Sequence, residues 1–454
     1  MRKYFGTDGI RRIANTELTP ELVYKVAKAG AYVLSKHTDH TPTILIGRDT
    51  RISGTLIESA MVAGFLSYGA NVKSIGVVPT PAVAYLTKKL NADASVVISA
   101  SHNSFEFNGV KYFSNKGMKI SDELEEEIEE IMDGGKLDEL TAVNEKIGVC
   151  VRADELQDEY VEFITSLFAN DLKNNIDSEF KVVIDTANGA TYKVAEKIFT
   201  KLGINHTIIN NAPDGININE KCGSTHLEML KDYVVKNKYS MGIAYDGDGD
   251  RCLLVDEFGN TVDGDVIIAI LAKYLKQKGM LKNDTMVATV MSNLGLSIYA
   301  KENDLHLEQT SVGDRYVLEN MLENGYNLGG EQSGHIIFLD YNPTGDGILT
   351  SLMVIRALLE SKTTLNEAAK IINIYPQVLI NAKVSTDKKY GYKQDEVILN
   401  KIKEVEEEFA GNGRVLIRPS GTEPLVRVMI EGKDKEHITN KAKEVADLIE
   451  ERLK

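Results

Sequence analysis

The chain has 454 residues, 43% hydrophobic and 26% charged, the balance of an ordinary soluble globular protein and far from disordered or fibrous composition. Single cores stop growing near roughly 250–300 residues, so several domains are expected. Lys and Arg total 52 against 67 Asp and Glu, and the net charge of -15 sets a field that repels nucleic acid and anionic lipid.

The opening Met1-Arg2-Lys3-Tyr4-Phe5-Gly6 meets a glycine before any apolar stretch, and no uncharged apolar run approaches about 18 residues, so neither an export signal nor a membrane span is expected. Cys150, Cys222 and Cys252 are odd in number and form no Cys-x-x-Cys pair. They indicate neither a disulfide framework nor a zinc site, and they fit a reducing cytoplasm.

A first strand–helix–strand unit runs from 43–47 through the polar turn 48–51 into a helical period at 56–66 and returns at 71–75. The apolar run 94–98 then reads as a buried strand, with Ser99-Ala100-Ser101-His102-Asn103 at its exit, where α/β proteins place ligands. The string is not Gly-x-Ser-x-Gly, so a hydrolase elbow is not indicated. Alone, a Ser-His neighbour pair fits a loop hydrogen-bonding role. The acidic stretch 122–133 keeps Leu124, Ile128 and Ile131 at helical spacing and reads as a solvated helix face.

A second unit begins at 181–185, turns through Asn188-Gly189 and returns at 206–209. Beyond it lies Asp246-Gly247-Asp248-Gly249-Asp250-Arg251, three carboxylates on alternate residues. This spacing lets all three converge on one hard cation, and such anions repel one another unless a cation or arginine neutralises them. With Glu257 they also match positions 1, 3, 5 and 12 of an EF-hand loop. Position 6, where that loop needs glycine, is Arg251, and the flanks 241–245 and 252–255 look like strands where it needs helices. Three carboxylates leave coordination positions open for phosphate oxygen, which suits magnesium.

A third unit opens at 286–290, turns at Ser292-Asn293-Leu294-Gly295 and returns at 305–307. Strands alternating with helices imply layered α/β domains, and the irregular spacing implies separate domains rather than a solenoid, with boundaries near 152, 253 and 370. In Gly329-Gly330-Glu331-Gln332-Ser333-Gly334-His335, Glu331, Ser333 and His335 are expected to reach outward, either toward sugar hydroxyls or as part of a turn. After Pro376, strands at 377–384 and 414–417 and a charged terminal helix read as a small α+β domain. It carries Arg418-Pro419-Ser420-Gly421-Thr422-Glu423-Pro424 and Arg427, whose hydroxyls, guanidinium groups and backbone N–H groups around Gly421 suit an anion cradle. The alternative is a surface turn whose arginines pair with Glu423 and Glu431.

Together and in this order, the four strings resemble the α-D-phosphohexomutase superfamily from end to end. Phe5-Gly6-Thr7-Asp8-Gly9-Ile10-Arg11, Gly330-Glu331-Gln332-Ser333-Gly334-His335, and Asn217-Ile218-Asn219 with Cys222-Gly223-Ser224-Thr225-His226 resemble its branch acting on glucosamine phosphates. The resemblance implies an α/β fold of four domains around a central cleft. Three are similar mixed-sheet α/β/α domains, 1–152 with the phosphoserine loop, 153–253 with the metal loop and 254–370 with the sugar loop. The fourth, 371–454, is a smaller α+β domain with the phosphate loop.

By the same resemblance Ser101 carries a phosphate, and Asp246, Asp248 and Asp250 hold one Mg2+ against it. Arg251, Glu331 and Ser333 grip the sugar, and Arg418, Ser420, Gly421, Thr422 and Arg427 bind the non-reacting phosphate. The implied reaction interconverts glucosamine 6-phosphate and glucosamine 1-phosphate through phospho-Ser101, feeding amino-sugar nucleotide and cell-wall precursor synthesis. Glucosamine 1,6-bisphosphate is the intermediate, and it or glucose 1,6-bisphosphate is the activator. A base must take the hydroxyl proton, and Lys111, Arg11, His102 and His335 are the candidates; Lys111 is favoured provided burial or neighbouring cations lower its pKa. Mutases of glucose or mannose phosphates, a magnesium phosphatase and a calcium sensor are the rival readings. A cytoplasmic monomer or homodimer with no nucleic-acid or membrane partner is expected. Three residues depart from the family pattern: Arg12 replaces glycine, and Ser104 and Leu227 replace prolines, the former loosening the nucleophile loop.

Overall fold

The computed structural model describes residues 3–6, 8–172, 176, 179–409, 413–420 and 424–454. They form two compact units, Met1–Val290 with His306–Ile371, and Met291–Leu305 with Ile372–Lys454. Among the described residues no helix is long and apolar enough to cross a membrane.

The first unit contains three sheets built to one plan. In the first, Thr43–Arg48 lies parallel to Asn71–Val77 and to Ala94–Ile98, and Ala94–Ile98 pairs antiparallel with Phe107–Ser114. In the second, Lys181–Asp185 lies parallel to Asn205–Ile209 and Met241–Tyr245, and Met241–Tyr245 pairs antiparallel with Cys252–Asp256. In the third, Thr285–Thr289 lies parallel to His306–Thr310 and Leu328–Gly330, and Leu328–Gly330 pairs antiparallel with Ile336–Phe338. Each sheet thus ends its parallel core in an antiparallel pair, and the connection within that pair carries a chemical string: 99–106, 246–251 or 331–335.

Burial on both faces makes the central strands continuous apolar runs, as in Ala94–Ile98, where every residue is buried. Helix Pro20–Ser35 begins where Thr19 Oγ1 accepts from the Leu22 N–H and proline occupies the first turn. It packs on Gly54–Tyr68 closely enough that a Cβ on Gly64 would lie 2.6 Å from the Tyr24 carbonyl oxygen. The acidic stretch is helix Asp122–Asp133. Glu125 and Glu129 of this helix are buried, and Glu129 accepts from the N–H groups of Lys3, Tyr4 and Phe5, fixing the opening segment.

The second unit contains a three-stranded antiparallel sheet in the order Gln377–Lys383, Leu425–Gly432, Gly413–Pro419. Helices Glu396–Glu408 and Lys435–Leu453 are capped by Asp395 and Asp434. The central strand and the helix Glu396–Glu408 add to the two strands and terminal helix expected from the sequence. Helix Leu294–Glu302 belongs to this unit, where Asn293 donates to the Tyr375 carbonyl at 2.9 Å and accepts from the Tyr375 N–H at 3.0 Å.

Candidate active site

Ser101 is buried with φ 50°, a left-handed backbone that costs a non-glycine residue about 1–3 kcal/mol and persists only where its surroundings impose it. Those surroundings are visible. The Ser101 N–H donates to Ser99 Oγ at 2.9 Å, and Ser99 Oγ donates to Asp49 Oδ2 at 2.6 Å. Asp49 accepts from Arg51 Nε at 2.8 Å, and the fully buried guanidinium donates onward to the carbonyls of Ser101 at 3.0 Å, Asn103 at 2.8 Å, Phe107 at 3.0 Å, and Ser104. From the connection that follows the strand Asn205–Ile209, Asn219 Nδ2 donates to the carbonyls of Ser101 at 2.8 Å and Asn103 at 2.9 Å. Burial pushes the Asp49 carboxyl up, and Arg51 and Ser99 partly offset it.

The three aspartates lie on the connection between Met241–Tyr245 and Cys252–Asp256, so strands flank them, not the helices of an EF-hand. One carboxylate oxygen from each lies within 4.8 Å of the others, and all three residues are buried. The loop closes on the nucleophile because Gly247 has no Cβ; one built there would stand 2.5 Å from the Ser101 carbonyl oxygen. Ser101 Oγ donates to Asp246 Oδ2 at 2.7 Å. Asp248 Oδ2 accepts from Thr80 Oγ1 at 2.8 Å and Lys111 Nζ at 3.2 Å. Asp248 Oδ1 and Asp250 Oδ1 are buried with no hydrogen-bond partner among the described residues. Burial and the neighbouring carboxylates push Asp246 well up and Asp250 up; at Asp248 burial acts the same way, but Lys111 together with the hydrogen bonds from Thr80 and Asp246 reverses it and holds the carboxyl down. Crowded buried anions with orphaned oxygens are a donor set that fits a hard divalent cation.

Lys111 does not meet the condition set for a base. Burial alone would lower it, but Asp248 at 3.2 Å, Asp8 at 3.1 Å and Asp250 at 3.8 Å reverse that and raise its pKa, so the ammonium form is favoured. Arg11 donates to Asn103 Oδ1 at 3.0 Å and Asp8 Oδ2 at 2.9 Å. His102 Nδ1 is 3.3 Å from Ser101 Oγ, and burial with Arg251 and Arg11 nearby lowers its pKa to about 4, leaving it neutral at pH 7.

The 331–335 connection leaves Glu331 and Ser333 half-buried and His335 buried. Arg251 and His335 pair as a single antiparallel bridge, and the Cys252 N–H donates to the Gly334 carbonyl at 3.0 Å, which joins this loop to the end of the aspartate loop. Gly334 has φ 90°, and a Cβ there would stand 2.3 Å from the Cys252 carbonyl oxygen. His335 is 3% exposed. His335 Nδ1, Ser333 Oγ and Arg251 Nε are buried with no hydrogen-bond partner among the described residues. Glu331 is half-buried, and burial raises its pKa. Gln332 donates to Asp263 Oδ2 at 3.1 Å, and Asp263 caps helix Gly264–Gln277, so Gln332 anchors the loop.

Four segments match the phosphoglucomutase/phosphomannomutase family: alpha/beta/alpha domain I over 2–139, domain II over 158–259, domain III over 263–375 and the C-terminal domain over 379–448. Phosphoglucosamine mutase of Ruminiclostridium cellulolyticum is 56% identical over 454 residues, covering 100% of both chains. The chain belongs to the phosphoglucosamine mutase family. Its fold is shared by a phosphoglucomutase/phosphomannomutase family protein from Burkholderia thailandensis, with TM-score 0.80 at 21% identity over 98% of each chain. It is shared also by Aspergillus fumigatus N-acetylphosphoglucosamine mutase in complex with GlcNAc-6P and magnesium, with TM-score 0.68 at 17% identity over 100% of this chain and 96% of that one.

In this phosphoglucosamine mutase family member, the C-terminal sheet sets Arg418 directly opposite Arg427 on adjacent strands. Burial and Arg427 lower the Arg418 pKa, and Arg418 Nε is buried without a hydrogen-bond partner among the described residues. Glu431 is bonded by Arg414 at 2.8 Å, which removes one of the partners expected for a plain surface turn. Ser420 is buried and its N–H donates to the Leu425 carbonyl at 2.8 Å. Gly421, Thr422 and Glu423 lie outside the described residues. Of the two residues that hold the nucleophile loop, Arg51 had no signal in the sequence beyond lying in a polar turn, and Asn219 stood in the 217–219 string of the resemblance without any indication of this role.

Proposed function

We propose that this chain interconverts glucosamine 6-phosphate and glucosamine 1-phosphate by passing a phosphoryl group through Ser101. One observation carries the assignment: Ser101 Oγ, on a strained and fully braced backbone, stands 2.7 Å from Asp246 within a cage of three buried aspartates. A serine hydroxyl beside a divalent-cation site is what reversible phosphoryl storage requires.

In the forward step the bond from phosphorus to Ser101 Oγ breaks as a bond to the free sugar hydroxyl forms, and the hydroxyl proton passes to a base. The product, glucosamine 1,6-bisphosphate, reorients, and its other phosphate returns to Ser101 by the reverse sequence. Alignment and charge neutralisation carry the catalysis, because negative charge spreads over the transferring oxygens. Asp246, Asp248 and Asp250 would hold magnesium beside Ser101, where it would supply a Lewis acid. The orphaned oxygens of Asp248 and Asp250 support that assignment.

We assign the sugar to Arg251, Glu331 and Ser333 and the non-reacting phosphate to Arg418, Ser420, Gly421, Thr422 and Arg427, for which the opposed arginines speak. For the proton we favour His335, in the same loop as Glu331 and Ser333, with His102 serving the Ser101 hydroxyl; Lys111 and Arg11 act as cations. A 1,6-bisphosphate of glucosamine or glucose primes the enzyme by phosphorylating Ser101. The domains span 1–152, 153–253, 254–370 and 371–454, and the enzyme works in the cytoplasm as a monomer or homodimer.

The test compares glucosamine, glucose and mannose 6-phosphates with bisphosphate primer, for wild type and Ser101→Ala, while inorganic phosphate is assayed. Glucosamine phosphate is expected to turn over fastest, with no net phosphate release. Glucosamine phosphate as the slowest substrate would contradict the proposal, and phosphate as the main product would replace it with a phosphatase.

A further inference from the structure

Four charged side chains outside the strings above tie the first sheet's domain to the third. Lys119 follows the strand Phe107–Ser114, and Asp122 opens helix Asp122–Asp133. Asp314 and Arg315 open helix Asp314–Asn324. Lys119 Nζ lies 2.5 Å from Asp314 Oδ2 across 195 residues of chain, and Arg315 Nη1 donates to Asp122 Oδ1. The signs are crossed, plus then minus on one side and minus then plus on the other. A displaced register would therefore set like charge against like, so the pairing specifies a single docked position.

The inner pair does not end at itself. Asp314 Oδ2 is 3.4 Å from His335 Nε2, and Lys119 Nζ also bonds Asp8 Oδ1. Asp8 Oδ2 in turn meets Arg11 at 2.9 Å and Lys111 at 3.1 Å, and Lys111 reaches Asp248 at 3.2 Å. A line of charge contacts thus runs from Asp314, which lies against the histidine of the 331–335 loop, through Lys119, Asp8 and Lys111 to the aspartate loop. Lys119, Asp314, Arg315 and His335 also line one cavity of about 160 Å³. Isolated surface ion pairs do little, but this one begins against His335, in the site.

We propose that Lys119, Asp122, Asp314 and Arg315 form an ionic clasp of positioning residues. It holds His335 and the sugar-binding loop at the separation from Ser101 that phosphoryl transfer needs. The assignment rests on the mutase reading above, and it acts through His335 rather than by touching the reacting atoms.

The test is steady-state kinetics on the full chain with charge reversal. Arg315→Asp and Asp122→Arg should each lower kcat about tenfold with KM little changed, and Asp314→Asn about 10²-fold, the scale of a 1 Å misplacement. The double reversal Asp122→Arg with Arg315→Asp should recover part of the lost kcat, since Glu319, which Arg315 also bonds at 2.7 Å, loses its partner, and Lys119→Arg should retain kcat; a fall in kcat with KM and the thermal midpoint held is what a merely structural role would not give. Thermal midpoints are recorded for each variant; should Asp314→Asn fail to fold, the reversal pair alone decides. An active wild type whose single reversals keep kcat, or whose double reversal recovers none, overturns the clasp alone. A wild type inactive on glucosamine phosphate overturns the mutase reading, and the clasp's role with it.

Discussion

Around Ser101 the left-handed backbone is held by protein side chains, with Arg51 and Asn219 both donating to the Ser101 and Asn103 carbonyls. Across the strands Gly413–Pro419 and Leu425–Gly432, by contrast, Arg418 faces Arg427, a like-charge pair that the sheet itself does not favour. The first region satisfies its backbone and charged groups from within the protein; the second sets two guanidinium groups side by side, with Arg418 Nε lacking a hydrogen-bond partner among the described residues.

The sharpest way to break this comparison is to remove the reacting atom. Ser101→Ala should lower kcat by at least about 10³-fold while the thermal midpoint stays near wild type, since only the hydroxyl is lost. Next, Arg51→Met should destabilise by about 3–5 kcal/mol in urea denaturation, because it strands the buried Asp49 carboxylate and frees four loop carbonyls. A loss under about 1 kcal/mol would mean that the loop is not braced as described. On the other side, Arg418→Ala should raise KM about tenfold with kcat changed far less and stability hardly touched, as fits a residue that binds phosphate in ground and transition states alike.

The smallest effect concerns a buried carboxylate served by neutral donors alone. Asp346 accepts from Tyr160 Oη at 2.9 Å and from the Leu349 N–H at 3.0 Å, and burial raises its pKa to about 6. The folded state therefore holds this proton more tightly than the unfolded chain. The group's stabilising contribution is complete below the ordinary carboxylate range and is lost as pH rises through about 6. Asp346→Asn should flatten that part of the stability–pH curve, measured by denaturation from pH 4 to pH 7.

What was legible in the sequence is what is local in it. The serine, aspartate and 331–335 strings each sit within one antiparallel connection, so residue types and spacing survive as motifs, and the alternating strand–helix pattern declares the parallel cores. The bracing roles of Arg51 and of Asn219, the latter visible only as part of the 217–219 string, were not legible, because the Ser101 carbonyl they hold lies 50 and 118 residues away. The residue type at Lys111 was legible but its charge state was not, since Asp8 and Asp248 set it from elsewhere in the chain. The residue types of the 331–335 string were legible, but its attachment was not, since the pairing with Arg251 and Cys252 that fixes it comes from about 80 residues earlier in the chain. In the last domain the central strand Leu425–Gly432 went unseen, because Arg427 within it was read as part of the anion motif.

The measurement closest to the central claim is to incubate the protein with glucosamine 1,6-bisphosphate carrying labelled phosphate, digest it, and locate the label by mass spectrometry. Label should appear on the Ser101 peptide and leave it when unlabelled glucosamine 6-phosphate is added. An enzyme that turns over while that peptide stays unlabelled, or that carries the label on another residue, would contradict the account.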